Sequence, residues 1–281
     1  MTAPSVRHMM EDHRYGMWWR EGGGVADKSS FVGVFDSGVG GISVLRHLVD
    51  ELPHEDFCYF GDSANNPYGG KTPDEILSLS RGIVDDMAAR GAKAVVIACN
   101  TATSVAAARL RLEYPDLPIV GVEPAIRPAT RAPRHERILV MATQVTLALD
   151  KYHRLAEECG SSSQMLGEPC VGLAHRIEQG NLDAPDLHGL IETLVGRYRG
   201  TVDSVVLGCT HYPFVRAQIR DVVGDVPLFD GGAGAARRLR SLLSERDLLA
   251  EGDAPGSVAF ASSLRGPGPL DLYERFFRLE V

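Results

Sequence analysis

The stretches AVVIACNT at residues 94–101 and SVVLGCTH at residues 204–211 share one pattern. Each contains an apolar run typical of a buried strand, then a small residue, a cysteine and polar residues that open a helix. Cys99 and Cys209 lie about 110 residues apart, which is the size of a small α/β domain. The repeat predicts two similarly built lobes, each with a cysteine at a strand's carboxyl end. The alternative is chance, because any parallel strand ends in small and polar residues.

The same alternation extends outward over the chain from Phe31. Short, nearly continuous apolar runs indicate parallel strands covered on both faces, and longer amphipathic segments separate them. The fold class is therefore α/β, with mainly parallel sheets flanked by helices. The predicted strands are Phe31–Asp36, Phe57–Gly61, Ala94–Cys99, Ile119–Val122, Ile138–Ala142, Val205–Cys209, Pro227–Phe229 and Val258–Ala261, and a further short strand ends at Cys170. The predicted helices are Ile42–Leu52, Pro73–Arg90, Thr101–Tyr114, Val145–Glu158, Leu173–Glu178, Leu187–Tyr198, Phe214–Val223, Ala235–Leu248 and Leu272–Leu279.

The predicted domain organisation has three parts. Residues 1–30 precede the first periodic pattern and contain Trp18, Trp19 and three consecutive glycines, so we expect a flexible N-terminal extension or a docking arm. Residues 31–123, together with about 233–281, form the first predicted lobe. Residues 124–232 form the second.

Length and composition exclude several classes of protein. The chain has 281 residues, of which 44% are hydrophobic and 23% charged, so disorder and fibrous repeats are excluded. No apolar run approaches the ~20 residues that cross a bilayer, and the N-terminus lacks a secretory signal. The net charge of −8 disfavours a broad nucleic-acid surface. We therefore expect a cytoplasmic protein with neither nucleic acid nor membrane as its partner.

The cysteine pattern leaves reactive or buried thiols as the open question. The five cysteines have no close pairs, so the spacing predicts neither a disulfide framework nor a metal site. Cys58 lies inside an apolar strand and is interpreted as packing, and Cys159 and Cys170 receive no chemical role. Cys99 and Cys209 differ because each precedes a helix, whose N-terminal N–H groups stabilise a thiolate. His211 follows Cys209 by two positions and is a candidate proton partner.

Two further segments have the composition of ligand-binding turns. The first βα turn, Asp36–Gly41, lacks the spacing of a dinucleotide fingerprint but can present backbone N–H groups to a small anion. Asp36 and Ser37 end the preceding strand and therefore face the ligand edge. Asp62 ends the next strand and is followed by the turn-rich loop Asn65–Lys71. For both segments, a purely structural turn is the alternative.

Five motifs in order resemble those of glutamate racemases, in the superfamily of cofactor-independent amino-acid racemases. They are VFDSGVGG at 34–41, FGD at 60–62, NPYG at 66–69, IACNTA at 97–102 and LGCTHYP at 207–213. The resemblance implies two α/β lobes with the active site in the cleft between them, an amino-acid substrate and no cofactor. It also implies a homodimer in the bacterial cytoplasm that supplies D-glutamate for peptidoglycan.

The resemblance assigns roles by motif. Cys99 takes the Cα proton from D-glutamate and Cys209 takes it from L-glutamate. Asp36 and His211 assist the nearer thiol, and Asp62 and Glu178 match further acids of the family. The implied substrate contacts are Asp36, Ser37, Tyr68, Gly69, Asn100, Thr101, Thr143, Thr210 and His211.

Three other functions remain open from the residues. The first is a racemase for aspartate or another amino acid. The second is a cysteine-dependent hydrolase or amidotransferase, with Cys209 as nucleophile and His211 as base, which leaves Cys99 without a role. The third is a non-catalytic anion-binding protein.

Overall fold

The computed structural model describes residues 5–7, 26–148, 150–159 and 163–279. Within these residues the chain divides into two compact units. The first comprises the described residues up to Val122 together with Gly232–Leu279, and the second comprises Glu123–Gly231. Trp18, Trp19 and the side chain of Cys159 lie outside the described residues.

The first unit is built on a parallel sheet of six described strands. These strands are β1 (Ser5–Arg7), β2 (Val32–Asp36), β3 (Phe57–Gly61), β4 (Ala94–Ile97), β5 (Ile119–Gly121) and β10 (Ser257–Ser262). Their spatial order is β1-β10-β3-β2-β4-β5. Asp36 is in register with Gly61, and Phe35 with Ile97. Parallel pairing in this register brings the ends of β2, β3 and β4 to one edge of the sheet.

Two groups of helices cover this sheet. The helices are α1 (Ile42–Glu51), α2 (Pro73–Ala89), α3 (Asn100–Glu113), α10 (Gly232–Glu245) and α11 (Gly268–Arg278). α1 packs on α10 and α11, whereas α2 packs on α3. α2 starts with a reciprocal capping box between Thr72 and Glu75 and has Pro73 in its first turn, so its start is specified locally.

The second unit repeats the pattern on a smaller scale. Its described strands are β6 (Arg137–Ala142), β7 (Gln164–Pro169), β8 (Ser204–Gly208) and β9 (Leu228–Asp230), all parallel, in the order β7-β6-β8-β9. Its described helices are α4 (Ile126–Ala129), α5 (Gln144–Ala148), α6 (Asp150–Cys159), α7 (Leu173–Glu178), α8 (Pro185–Val195) and α9 (Arg216–Val223). Ala142 pairs with both Pro169 and Gly208, so the residues after β6, β7 and β8 share one edge.

The predicted fold class is confirmed, with two parallel sheets flanked by helices. The strands that sequence analysis found most clearly are the fully buried ones, such as β2, β4 and β8, in which every residue is buried. None of the described helices combines the length and the apolar character needed to cross a membrane.

Three elements differ from the sequence-based predictions. β7 is an edge strand with the sequence QMLGEP and mostly accessible side chains, so no apolar run marks its start. Ser5–Arg7 pairs with β10 at the other sheet's edge, inside the stretch predicted as an extension. The predicted helix Phe214–Val223 is α-helical only from Arg216, where α9 starts. Its first two residues belong to a 3-10 helix, Tyr212–Val215.

A buried ion pair ties the first unit together. Lys93 Nζ lies 2.6 Å from Glu55 Oε2, and both side chains are almost completely inaccessible. Lys93 Nζ also donates to the carbonyl of Lys28 at 2.7 Å, while Glu55 Oε1 accepts the N–H of Ala250 at 2.8 Å. The pair therefore connects four segments that are distant in sequence.

We expect Lys93→Met to destabilise the first unit by about 3–5 kcal/mol, because it leaves the Glu55 carboxylate buried without a cation. Urea unfolding followed by circular dichroism measures the loss. Arg109→Met is the control, since Arg109 pairs with Glu113 at 2.6 Å on the exposed surface of α3 and should barely move the midpoint. Equal effects from the two substitutions contradict the assigned role of Lys93.

Candidate active site

The candidate residues of the first unit lie where β2 and β4 end. Asp36 closes β2 and is fully buried, and its Oδ1 accepts the N–H of Gly38 at 2.9 Å. The turn is tight, because a Cβ at Gly41 would lie 2.5 Å from Cβ of Asp36 and 2.9 Å from Cβ of Ala98. Only glycine fits there, so the turn that holds Asp36 depends on Gly41.

Cys99 is the N-cap of α3. Its backbone is extended (φ −72°, ψ 121°), and its Sγ accepts the N–H of Ala102 at 3.4 Å. The Oγ of Ser37 lies 3.8 Å from the same sulfur. An anion at this position benefits from the unpaired N–H groups and the positive end of the helix dipole. The structure therefore places Cys99 where its thiolate is stabilised by the backbone.

Asp62 and Tyr68 form a buried pair near this edge. The hydroxyl of Tyr68 donates to Asp62 Oδ2 at 2.6 Å, and the amide of Asn65 donates to both carboxylate oxygens at 2.9 and 3.1 Å. Burial raises the pKa of Tyr68 far above its usual range, and the negative charges of Asp62, Cys99 and Asp36 raise it further. Tyr68 is therefore a permanent donor to Asp62.

The remaining predicted contacts of this unit lie beside these groups. Asn100 and Thr101 are the first two residues of α3 and are both buried. Oδ1 of Asn100 is inaccessible and has no hydrogen-bond partner among the described residues. Gly69 lies in the 3-10 helix Tyr68–Gly70. An unsatisfied buried acceptor costs free energy, so Asn100 is an obvious place for a ligand donor.

The second unit contains its own candidate residues, which form a series of three. Cys209 Sγ lies 3.5 Å from His211 Nδ1, and His211 Nε2 lies 2.6 Å from Glu178 Oε1. Cys209 follows β8, whereas Glu178 is the last residue of α7, 33 positions before His211. The cysteine and the histidine are buried, and the Glu178 side chain is 14% exposed.

The prediction that an α-helix begins after Cys209 and stabilises its thiolate is wrong. Tyr212–Val215 forms a 3-10 turn with Pro213 near its start, and the backbone of Val215 (φ −122°) separates that turn from α9. A long helix therefore does not begin at this thiol as one does at Cys99. His211 provides the positive partner instead.

The electrostatics of His211 favour its charged form. Burial alone lowers the pKa of an imidazole, but the hydrogen bonds and negative charges of Cys209 and Glu178 outweigh burial and raise the pKa of His211 well above its ordinary value. An imidazolium has two N–H donors, which here lie against Cys209 Sγ and the Glu178 carboxylate. This arrangement can hold a proton beside Cys209.

Thr143 and Thr210 follow β6 and β8 at the same edge. Oγ1 of Thr143 accepts the N–H of Thr146 at 3.2 Å and donates to its hydroxyl at 2.9 Å, so Thr143 also caps α5. Thr210 lies between Cys209 and His211 and is buried. Their roles as substrate contacts stay predictions.

The other described thiols lie in surroundings that suppress reactivity. Burial raises the pKa of Cys58 and of Cys170 far above the usual range for a thiol, so both stay protonated. All four described cysteines are free. Among the described residues, no cluster of three histidine, cysteine or acidic side chains has the arrangement of a metal site.

Sequence reasoning missed two residues that the structure brings to the site. Asn65 holds both oxygens of Asp62, and its spacing of three residues from that carboxylate was the available signal. Tyr212 is buried beside the second thiol, and burial with the charges of Cys209 and Cys170 raises its pKa. Its hydroxyl donates to the carbonyl of Cys170 at 3.4 Å.

Two parallel α/β units, each with a buried thiol at a strand's carboxyl end, define the class of cofactor-independent racemases that the motifs resemble. Comparison with known proteins agrees. Residues 41–239 match the family model described as Asp/Glu/Hydantoin racemase. A glutamate racemase of Clostridium perfringens is 41% identical over 255 residues, covering 90% of this chain and 98% of that protein.

Solved structures give the same result. The glutamate racemase of Francisella tularensis in complex with D-glutamate superposes with a TM-score of 0.77 at 26% identity, covering 90% of this chain and 95% of that one. The Escherichia coli glutamate racemase in complex with L-glutamate and the activator UDP-MurNAc-Ala has a TM-score of 0.77 at 29% identity, covering 88% and 95%. This chain belongs to the Asp/Glu/hydantoin racemase family, and the three relatives named above are glutamate racemases.

We expect Glu178→Gln to lower the pKa of His211, because a neutral amide no longer stabilises the imidazolium. Titration of ¹³C-labelled histidines by NMR measures the change, with His211→Asn assigning the signal. Glu192→Gln in α8 is the control, since Glu192 pairs with Arg199. An unchanged His211 titration in Glu178→Gln contradicts the assigned charge pair.

The same substitution has a pH-dependent effect on stability. A pKa that is raised in the folded state stabilises the fold fully below the unfolded value of about 6.5, and the stabilisation is lost as pH rises through the folded pKa. The stability difference between wild type and Glu178→Gln should therefore be largest near pH 6 and shrink at alkaline pH. Urea titrations across this range measure it.

Proposed function

We propose that this chain interconverts L-glutamate and D-glutamate, with Cys99 and Cys209 as the groups that exchange the Cα proton. The observation that carries the proposal is the buried series Cys209–His211–Glu178, with contacts of 3.5 and 2.6 Å. A second buried thiol at the N-terminus of α3 accompanies it. The choice of glutamate rests on the relatives, whose structures hold D-glutamate and L-glutamate.

The reaction itself calls for two acid–base groups. Inversion at Cα removes a weakly acidic proton from one face and returns a proton to the other, which a single fixed base cannot do. Cysteine suits the task because its unperturbed pKa of about 8.5 can be tuned toward neutral pH. In this proposal Cys209 takes the proton from L-glutamate while Cys99 donates one, and the roles reverse for D-glutamate.

His211 and Glu178 set the protonation state on the second side. The imidazolium donates to the Cys209 thiolate through Nδ1 and to Glu178 through Nε2. When Cys209 receives a proton from Cα, the charge pair with His211 is lost and the thiol becomes a donor. Glu178 keeps the imidazole oriented in both states, in the way that a carboxylate orients a catalytic histidine.

On the first side, the backbone takes the role of the histidine. The N–H of Ala102 and the positive end of α3 stabilise the Cys99 thiolate, and Asp36 is the carboxylate assigned to assist it. The developing negative charge on the substrate needs hydrogen-bond donors, which Ser37, Asn100 and Thr210 can supply. Asp62, Tyr68, Gly69, Thr101 and Thr143 complete the proposed set.

Several parts of the proposal rest on the family resemblance alone. They are the absence of a cofactor, a homodimer, the cytoplasmic location and the supply of D-glutamate for peptidoglycan. The measured mass of the native protein in solution tests the dimer directly.

The series Cys209–His211–Glu178 also favours a second candidate. A nucleophile, a base and an orienting acid in this order are typical of thiol hydrolases. Such an enzyme depends on Cys209 and is indifferent to Cys99. The two thiols therefore separate the candidates.

We expect Cys99→Ala and Cys209→Ala each to lower the rate of racemisation by at least about 10²–10⁴-fold in both directions, because each removes an acid–base group. Circular dichroism of L- and D-glutamate, with no cofactor added, follows the reaction. In D₂O, the D-glutamate first formed by wild type should carry one deuterium at Cα.

Cys58→Ala is the matched control, because that thiol is buried and protonated, and activity should persist. Full activity in Cys99→Ala contradicts the two-cysteine mechanism and supports a hydrolase. The absence of deuterium at Cα contradicts racemisation by proton exchange.

A further inference from the structure

A cavity beside α2 shares only Asp62 with the residues of the proposed chemistry. It has a volume of about 230 Å³ and lies between the end of β3 and the second half of α2. We call it the α2 cavity. Its apolar wall is made by Phe60, Leu79, Ile83 and Met87. Cys99, Ser37 and Tyr68 do not line it, so it is a separate space within the first unit.

The polar lining of the α2 cavity is acidic. Asp62, Asn65 and Asp86 contribute to its lining, and none of the described residues that line it is a lysine, arginine or histidine. Arg90 Nε donates to Asp86 Oδ2 at 2.8 Å, so the charge of one of the two carboxylates is already paired with a cation. The other carboxylate, Asp62, determines what can bind.

Asp62 is a buried carboxylate, and no lysine, arginine or histidine among the described residues pairs with it. It is 3% exposed, and its described contacts are with neutral donors, the amide of Asn65 and the hydroxyl of Tyr68. Burying a charge is costly unless an opposite charge pairs with it. A cationic ligand in the α2 cavity would provide that pairing, whereas an anion would be repelled.

We propose that the α2 cavity is a second binding site, specific for a small cation with an apolar body such as an aryl- or alkylammonium ion. The ammonium group pairs with Asp62, and the apolar body packs against Phe60, Leu79 and Ile83. Because one water occupies about 30 Å³ of liquid, the space suits a molecule on the order of eight non-hydrogen atoms.

A cation bound in the α2 cavity should affect the candidate active site through its contact with Asp62. The bound ammonium competes with Asn65 and Tyr68 for the same two oxygens, and Tyr68 lies within the electrostatic reach of Cys99 and Asp36. We expect the cation to inhibit turnover without excluding substrate. This consequence rests on the proposed function, but binding to the cavity does not.

Gly82 offers a way to close the cavity without disturbing its surroundings. It lies in the middle of α2, lines the cavity, and a Cβ added to it meets no atom within 4 Å. Gly189 in α8 is the matched control, because it is also a helical glycine with open space around its Cβ position, in the other unit. Both glycine substitutions improve helix propensity equally.

The binding experiment uses three probes of similar size, benzylammonium, benzyl alcohol and benzoate, observed by ligand-detected NMR with the full-length protein. We expect benzylammonium to bind with a dissociation constant on the order of 1 mM. Benzyl alcohol should bind at least about tenfold more weakly, since it lacks the charge worth roughly 1.4 kcal/mol or more. Benzoate should not bind in the cavity.

Gly82→Leu should lower the affinity for benzylammonium at least about tenfold, and Gly189→Leu should leave it unchanged. Asp62→Asn should remove the preference for the cation over the alcohol. Equal binding of all three probes, no binding of benzylammonium, or the same affinity in Gly82→Leu and wild type overturns the proposal. Circular dichroism establishes that each variant is folded, and Gly82→Ala gives a milder test if leucine is not tolerated.

The activity experiment is read separately. Benzylammonium should lower kcat of wild type and of Gly189→Leu, but not of Gly82→Leu. If racemisation is absent altogether, the proposed function fails while the binding series still tests the cavity. If benzylammonium binds but inhibits Gly82→Leu as strongly as wild type, it acts elsewhere and the cavity assignment is wrong.

Discussion

Hydrogen bonding between parallel strands is the constraint on which the candidate site depends. In the first unit, the pairs Asp36–Gly61 and Phe35–Ile97 bring the residues after three strands to one edge. In the second unit, Ala142 pairs with both Gly208 and Pro169, with the same effect. Because parallel strands all point the same way, residues far apart in sequence meet without any special contact between them. In the first unit, α3 begins close after β4, so the N–H groups of its first turn also lie at this edge.

The two thiols use this edge in physically different ways. Cys99 depends on the backbone, since it caps a helix of fourteen residues and accepts an N–H from its first turn. Cys209 precedes only a short 3-10 turn and depends on a side-chain charge, the imidazolium of His211 held by Glu178. A helix dipole does not depend on pH, whereas a histidine side chain can gain or lose its charge. The two sides are therefore expected to differ in their response to pH.

Much of the fold was predictable because strands buried on both faces have nearly continuous apolar sequences. β2, β4 and β8 are buried throughout and mostly apolar, so they were found directly, and the cysteines that follow β4 and β8 pointed to the candidate residues. β7 was only partly found, because an edge strand with accessible side chains needs no apolar run. The 3-10 turn after Cys209 was missed, since Pro213 is equally compatible with the first turn of an α-helix. The family resemblance implied Glu178 as an acid, but local pattern did not indicate its contact with His211.

The sequence by itself determined the fold class, the family and the chemical types of the site residues. These depend on hydrophobic periodicity and on short motifs, which are local properties of the chain. Only the tertiary structure decided which groups meet: Glu178 with His211 across 33 residues, Asn65 with Asp62, and Lys93 with Glu55. It also decided that Asp62 is buried beside an open cavity, where its described contacts are with neutral donors. Distances of a few ångströms between distant residues depend on packing, and packing is a property of the whole fold.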